Sequence, residues 1–308
     1  MASETPLFDR ALLTRRRARA ASRIADHDFL LRRVGDEIES RLDAVLRTFP
    51  VALDLGAHHG IVADRLKRRS TVTMVVSADA CRSMLVRGRG ARVVCDEEWL
   101  PFRAASIDLC VAGLTLHHVN DLPGSLIQIR RALKPDGLFL AAALGRRTLS
   151  ELRESFMQAE SETLDGASPR VAPFADVRDY GALLQRAGFA LPVADADLLT
   201  VTYANPLELM RELRAMGAGN VLEARSRKPL RRATLRRALE IYGERFATPS
   251  GRVPATFEIV YLTGWAPDES QPTPLRPGSA RTRLADALGT QEHSAGEKAP
   301  ATRPDAKE

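Results

Sequence analysis

Cysteine, aromatic residues and long apolar runs are all scarce in this 308-residue chain, and each scarcity excludes something. The three cysteines, Cys81, Cys95 and Cys110, stand too far apart for a Cys-x-x-Cys pair. Neither a disulfide framework nor a structural zinc site is expected, and free thiols suit a reducing compartment. Aromatics make up 5% of the chain and are not interleaved with a basic run, which argues against a base-stacking platform for nucleic acid. No apolar run reaches the length of a membrane-spanning helix. The amino terminus carries no apolar signal core. Arg15 to Arg23 is arginine-rich like a transit peptide, but Glu4, Asp9 and Asp26 lie close by, so a mature cytoplasmic protein is the expectation. Arginine is what the chain has in excess: Lys and Arg number 45 against 39 acids, for a net charge of +6. Solvated helix faces account for this as well as an anionic partner does, and peripheral contact with a membrane stays open.

Asp9 can cap a basic helix running to about Ser22, and Leu30, Val34, Ile38 and Leu42 form an amphipathic stripe on a second helix from Asp28 to Leu46. From Val51 the pattern changes to alternating strands and helices. Strands are expected at Val51–Leu55, Thr71–Val76, Arg92–Cys95, Ile107–Ala112 and Leu138–Ala143. The helices between them begin near Ile61, Ala80 and Leu122. Such a series builds an α/β fold, a doubly wound and mostly parallel sheet. After 145 come helices at Thr148–Ser161, Asp176–Ala187, Pro206–Met216 and Leu230–Phe246. Leu198–Tyr203 reads as a strand, and Ala255–Trp265 as an antiparallel closing strand. Four segments follow: residues 1–48, an amino-terminal helical extension; 49–145, the ligand-binding core; 146–266, substrate-side helices and closing strands; and 267–308, a mostly disordered tail rich in proline, glycine and charge.

The polar residues collect at the strand ends. Asp54 closes the first strand, and Gly56 and Gly60 bracket the turn into the next helix, His58 standing between them. Asp79 follows the second strand, Asp96 and Glu97 the third, and Thr115, Leu116, His117 and His118 the fourth. Open α/β sheets bind ligands at this edge. An acid after strand two can accept both ribose hydroxyls of a nucleoside, and one after strand three the adenine amine. Asp54 can orient the turn or meet an ammonium group through water. The histidines carry three readings: lining of a polar pocket, a general base and metal ligation. Strands one and four are neighbours in such a sheet, so the pairs His58-His59 and His117-His118 converge, with one member of each pair pointing to a given site. No facial metal triad is evident, and no metal ligands are assigned. Glu151 and Arg153 open the first helix after the core, where a substrate would approach. They lie two apart and do not share a face, so one of them is expected to reach the site. Arg170, beside two prolines, suits an anionic group.

The first turn, Asp54-Leu55-Gly56-Ala57-His58-His59-Gly60, resembles the opening motif of S-adenosylmethionine-dependent methyltransferases, with His58 in place of the middle glycine. The resemblance narrows with further blocks: Phe8-Asp9-Arg10, Asp96 to Phe102, Leu116 to Pro123, Leu133 to Gly137, Thr148 to Arg153, Ser168 to Phe174, Val253 to Thr256 and Arg276 to Ala280. Together they resemble the family of mitochondrial complex I assembly factor 5 over residues 7–282. That resemblance implies a seven-stranded methyltransferase fold, S-adenosylmethionine as cofactor, and hydroxylation of an arginine on a complex I subunit. His58 puts the cofactor in question, since a side chain stands where the backbone usually passes close to the ligand.

Three functions compete. The first is an S-adenosylmethionine-binding enzyme that modifies a protein side chain. The second is methyl transfer to a small or carrier-bound carboxylate, by positioning for in-line attack and with His117 or His118 available as proton acceptor. The third is a non-catalytic assembly factor.

Overall fold

The computed structural model describes residues 6–164, 166–272 and 282–291. The chain folds as β1 (Phe49–Leu55), β2 (Val72–Asp79), β3 (Ala91–Val94), β4 (Ile107–Gly113), β5 (Leu133–Leu144), β6 (Ala190–Tyr203) and β7 (Val253–Trp265). These join in one sheet of order β3-β2-β1-β4-β5-β7-β6. The first five strands are parallel, and β7 runs antiparallel to both β5 and β6. The expected seven-stranded fold is the one observed. Leu53 sits level with Val76 and with Cys110, which brings the ends of β2, β1 and β4 to one edge.

Two helices precede the sheet: α1 (Arg10–Ala20), capped by Asp9, whose carboxylate accepts from Leu12 N–H, and α2 (Phe29–Asp43). Crossovers are made by α3 (Ile61–Leu66), α4 (Arg82–Leu85) and α5 (Leu122–Ala132). The later helices are α6 (Ser150–Thr163), α7 (Val177–Arg186), α8 (Pro206–Ala215) and α9 (Arg232–Phe246). Side chains alternate across a strand. Ala52, Leu109, Leu138 and Tyr261 therefore join Val34 and Ile38 of α2 and Ile241 of α9 in one core. Leu53, Cys110, Phe139 and Val260 enter the other, with Leu126 of α5 and Leu184 of α7.

Some elements differ from expectation. β6 begins at Ala190 rather than Leu198. Its first half carries Pro192, Asp195 and Asp197 with little apolar alternation, and as an outer strand it has only one neighbour. The Lys134–Gly137 turn lies within the span of β5, with Asp136 at φ 58°. The amino-terminal extension is woven into the rest. Asn120 accepts from Phe8 N–H (2.8 Å) and donates to Phe8 C=O (3.2 Å), Phe8 bridges Leu222, and Asp9 pairs with Arg225 (2.9 Å). Residues up to Asp268 form one unit. In the second unit, α10 (Leu284–Leu288) is a short helix within the expected tail; residues 273–281 and 292–308 lie outside those described.

Candidate functional site

The helix α1 places Leu13, Arg17 and Ala20 on its buried face, and that face lies over the strand-end acids. Ala20, Ala21 and Ile24 pack with Cys81 and Met84 of the α4 region, while Phe8 and Leu13 pack with Val221 and Leu222. Held from both ends, α1 delivers two guanidiniums to the sheet edge. Arg17 meets Asp79 at 2.6 Å, and both side chains are at least nine-tenths buried. Arg10 meets Asp96 at 2.6 Å and also pairs with Glu97. Asp79 further accepts the backbone N–H groups of His58 (2.9 Å) and Cys81 (2.7 Å). Glu97 accepts from Thr115 Oγ1 (2.8 Å). The three strand ends are thus joined through side chains, as their acids suggested, with arginines from α1 that the sequence reading did not assign to the site.

The first turn explains His58. Gly56 takes φ 67°, and a Cβ there would fall within 2.5 Å of the Thr115 side chain, so this glycine serves close packing of β1 on the turn after β4. Gly60, at φ 97°, starts α3. His58 itself adopts φ 50°, a left-handed conformation costing roughly 1–2 kcal/mol for a residue with a Cβ. Its ring turns away from the turn backbone: Nε2–H donates to Gly113 C=O (3.1 Å) and Nδ1 accepts from Arg17 (2.8 Å). Leu114, also facing this space, has φ 55°. Strained backbone clusters where function over-determines geometry. Asp54 is wholly buried, with one oxygen accepting Ala63 N–H (2.9 Å) and the other unpartnered. Burial, chiefly, pushes its carboxyl up to about 7. Of its two expected roles, orienting the turn is the one its contacts carry. The Leu116 side chain is buried in the core beneath the turn after β4.

The histidines converge in part. His58, His117 and His118 line one cavity of about 90 Å³ with Arg17, Asp28 and Leu144. Both His117 and His118 face it, contrary to the expectation of one per pair. Residues 116–118 form a 3-10 turn rather than an extended chain, and the two rings sit 4.3 Å apart. His59 does diverge from His58: its Nε2–H donates to Asp28 (3.0 Å). Leu144 N–H donates to His117 Nδ1 (3.4 Å), and Phe174 stands edge-on to His117 at 5.4 Å. Burial, more than any neighbouring charge, holds all three cavity histidines well below the usual imidazole range, His118 at about 3. The cavity is therefore lined by neutral rings, able to accept a proton only weakly. Among the described residues no group of three or more His, Cys, Asp or Glu is arranged to hold a metal ion.

The residues expected on the substrate side divide. Arg170 lines a second cavity, of about 150 Å³, together with His118, Leu149 and Phe174. Its guanidinium is held by the fully buried Glu160, which also accepts Ser168 N–H (2.6 Å). Glu151 does not reach either cavity. It is buried between α6 and β7, where it accepts from Thr256. Arg153 donates to the carbonyls of Thr148 (3.1 Å) and Ala172 (3.4 Å), tying the start of α6 to the loop before α7. The expectation that one of this pair reaches the site fails, because both are spent holding α6 in place. Arg10 and Arg17 had a sequence signal: with Leu13 and Ala20 they recur at i, i+3, i+7 and i+10, one face of a helix. In the sequence Phe174 shows only as the end of a resemblance block, and Asp28 only as a helix start.

The methyltransferase-domain family matches residues 53–141. The arginine hydroxylase NDUFAF5 of Danio rerio is 39% identical over 91% of this chain and 89% of its own length. The Homo sapiens protein of that name is 41% identical over 91% and 83%. A malonyl-[acyl-carrier protein] O-methyltransferase of Methylovorus is 33% identical over 93% of this chain and all of its own length. In fold, the chain matches the YcgJ protein of Bacillus subtilis with a TM-score of 0.54, at 15% identity, covering 77% of this chain and 99% of that one. The protein belongs to the S-adenosylmethionine-dependent methyltransferase superfamily, among the enzymes similar to NDUFAF5 and to the malonyl-carrier methyltransferases.

Proposed function

We propose that this enzyme binds S-adenosylmethionine at the strand-end acids and modifies an arginine side chain of a protein, by hydroxylation, on a subunit of respiratory complex I. One observation carries the reading. The walls that α1, α2 and the segment after α8 add to the histidine cavity lie outside residues 53–141, while the histidines themselves lie within, and the similarity to arginine hydroxylases spans 91% of the chain. The aligned span therefore extends beyond the common core to the parts that shape the site, and the identity over it is 39% and 41% to the arginine hydroxylases against 33% to the malonyl-carrier enzyme.

The donor set suits the cofactor. Asp79 is buried at the end of β2, where it can take the ribose hydroxyls; Asp96 and Glu97 stand where an adenine amine would be met; and Asp54 keeps one buried oxygen without a partner. Arg10 and Arg17 stand on these same carboxylates, so binding displaces them. When bound, the cofactor would supply a sulfonium centre. Asp28 is the carboxylate of the cavity wall; it already holds the Arg32 guanidinium (2.6 and 2.9 Å) and His59, so a substrate guanidinium would take the place of Arg32 there, among neutral imidazoles and leucines. Hydroxylation breaks one C–H bond and forms C–OH with one atom of dioxygen. An external two-electron reductant and two protons turn the other atom into water.

A second reading is methyl transfer to a carboxylate. It is favoured by Arg170 beside His118 in the second cavity and by the 33% identity to the malonyl-carrier enzymes. Incubating the purified protein with the quinone-side complex I subunit, S-adenosylmethionine, air and a reductant separates the two. Peptide mass spectrometry should find one added oxygen on an arginine. A methyl ester on a carrier-bound acid, with release of S-adenosylhomocysteine and no oxygenated arginine, overturns the first reading.

A further inference from the structure

We propose that the groove between α1 and α8 docks an extended, acidic segment of a protein partner. The proposal rests on the reading that the enzyme acts on a protein. One wall of the groove carries Arg16, Arg19 and Arg23, and the opposite wall Arg211 and Arg214. Arg16 and Arg19 share one face of α1, Arg23 follows just beyond its end, and Arg211 and Arg214 share one face of α8. Among the described residues none of these five arginines has an acidic partner. The neighbouring arginines of α1 that point the other way, Arg10 and Arg17, are both paired.

The two carboxylates in the groove are already engaged. Glu208 accepts Ala204 N–H (3.2 Å), and Glu212 holds His27 Nδ1 (3.0 Å). Five guanidiniums thus share the groove with two carboxylates, neither of which is within ion-pair distance of any of the five, and the excess charge is positive. Arg16 feels this: burial first, then Arg225, Arg214 and Arg19, draw its pKa below the ordinary guanidinium value. An arrangement that is repulsive alone becomes favourable once an anionic ligand lies between the walls.

The shape selects the ligand. The groove holds about 1120 Å³, against about 90 Å³ for the histidine cavity, far more than a lone anion fills. It is concave, with arginines on facing walls, so a flat lipid surface would touch only its rims. Tyr203 is its one aromatic residue, too little for stacking successive bases. His27 and Gly217 line both groove and cavity, so a chain seated among the arginines leads its next residues toward the histidines. Paired guanidinium–carboxylate contacts would then fix the register of the substrate segment.

The test is fluorescence anisotropy of a short fluorescein-labelled peptide rich in Asp and Glu, titrated with the full chain and with R211E/R214E. A net-neutral peptide, a thymidine oligonucleotide and phosphatidylglycerol vesicles serve as competitors. The acidic peptide should bind in a salt-sensitive way. The double reversal should weaken it roughly a hundredfold, the factor for about 1.4 kcal/mol lost at each arginine. Thermal stabilisation by S-adenosylhomocysteine should be unchanged, showing that the variant is folded. Equal binding of the neutral peptide, or undiminished binding by the double reversal, overturns the proposal. So does tighter, arginine-dependent binding of the oligonucleotide or the vesicles. If the peptide binds as expected while no arginine is oxygenated in the complex I subunit, the docking surface stands and the hydroxylase reading falls.

Discussion

Replacing Arg17 with glutamine should make the protein less stable and its cofactor site more receptive. In the folded chain Arg17 lies 2.6 Å from Asp79, with side chains 9% and 0% exposed. Removing one partner of a buried pair costs about 3–5 kcal/mol, because the other charge is left uncompensated. Asp79 keeps two backbone donors, His58 N–H at 2.9 Å and Cys81 N–H at 2.7 Å, which places the cost near the lower end, about 3 kcal/mol. For a domain of this size that corresponds to a fall in Tm of about 6–12 °C. The effect on binding has the opposite sign. In the proposed binding mode the ribose displaces Arg17 from Asp79 in the wild type; in the variant the buried carboxylate lacks that partner and takes the ribose hydroxyls without the exchange. The same free energy returned on binding would tighten S-adenosylhomocysteine by up to about a hundredfold. Scanning fluorimetry without ligand and calorimetric titration with it measure the two effects. Weaker binding by Arg17→Gln would mean that Arg17 belongs to the cofactor's own contacts, and the reasoning would be refuted. An unchanged Tm would mean that the buried pair does not form.

Other consequences follow from the buried ionisable groups. The Asp54 carboxyl, raised from 3.8 to about 7 chiefly by burial, binds its proton more tightly folded than unfolded. The stability it confers is complete below about pH 4 and is lost as pH rises to about 7. Asp54→Asn should therefore gain on the wild type across that interval, by at most about 4 kcal/mol, in denaturant titrations at successive pH values; a constant difference would contradict the shift. The cavity histidines have the reverse linkage. His118, lowered to about 3 by burial, contributes stability that is whole above about pH 6.5 and lost as pH falls toward 3. His118→Gln should flatten the acid limb, and the ring resonances of His58, His117 and His118 should not move between pH 8 and 5 in NMR spectra. Arg170→Ala strands the fully buried Glu160 with only its Ser168 donors. It should cost about 3 kcal/mol of stability, and Arg170→Ala combined with Glu160→Gln should recover part of that in the same melts.

The parallel core was legible because each of its signals is local. Apolar strands, turn glycines and acids at strand ends recur in register with the fold, and the sheet edge gathered Asp54, Asp79, Asp96 and Glu97 as the pattern required. What escaped was tertiary. Nothing near Arg17 in sequence points to Asp79, and nothing near Glu151 points to Thr256, 105 residues away. The reading of His117 and His118 failed on local geometry, since a 3-10 turn turns successive rings to the same side where a strand would separate them. The early half of β6 was missed because an outer strand with one neighbour needs little apolar alternation. His58 was judged by the glycine it replaces; its left-handed backbone lets its ring reach from the turn after β1 to Gly113 at the end of β4.

The most direct measurement is peptide mass spectrometry of the quinone-side complex I subunit from wild-type and deletion strains. The account predicts an arginine carrying one oxygen atom in the wild type and lacking it in the deletion, restored by the wild-type gene. An arginine unmodified in both strains, or oxygenated equally in both, contradicts it.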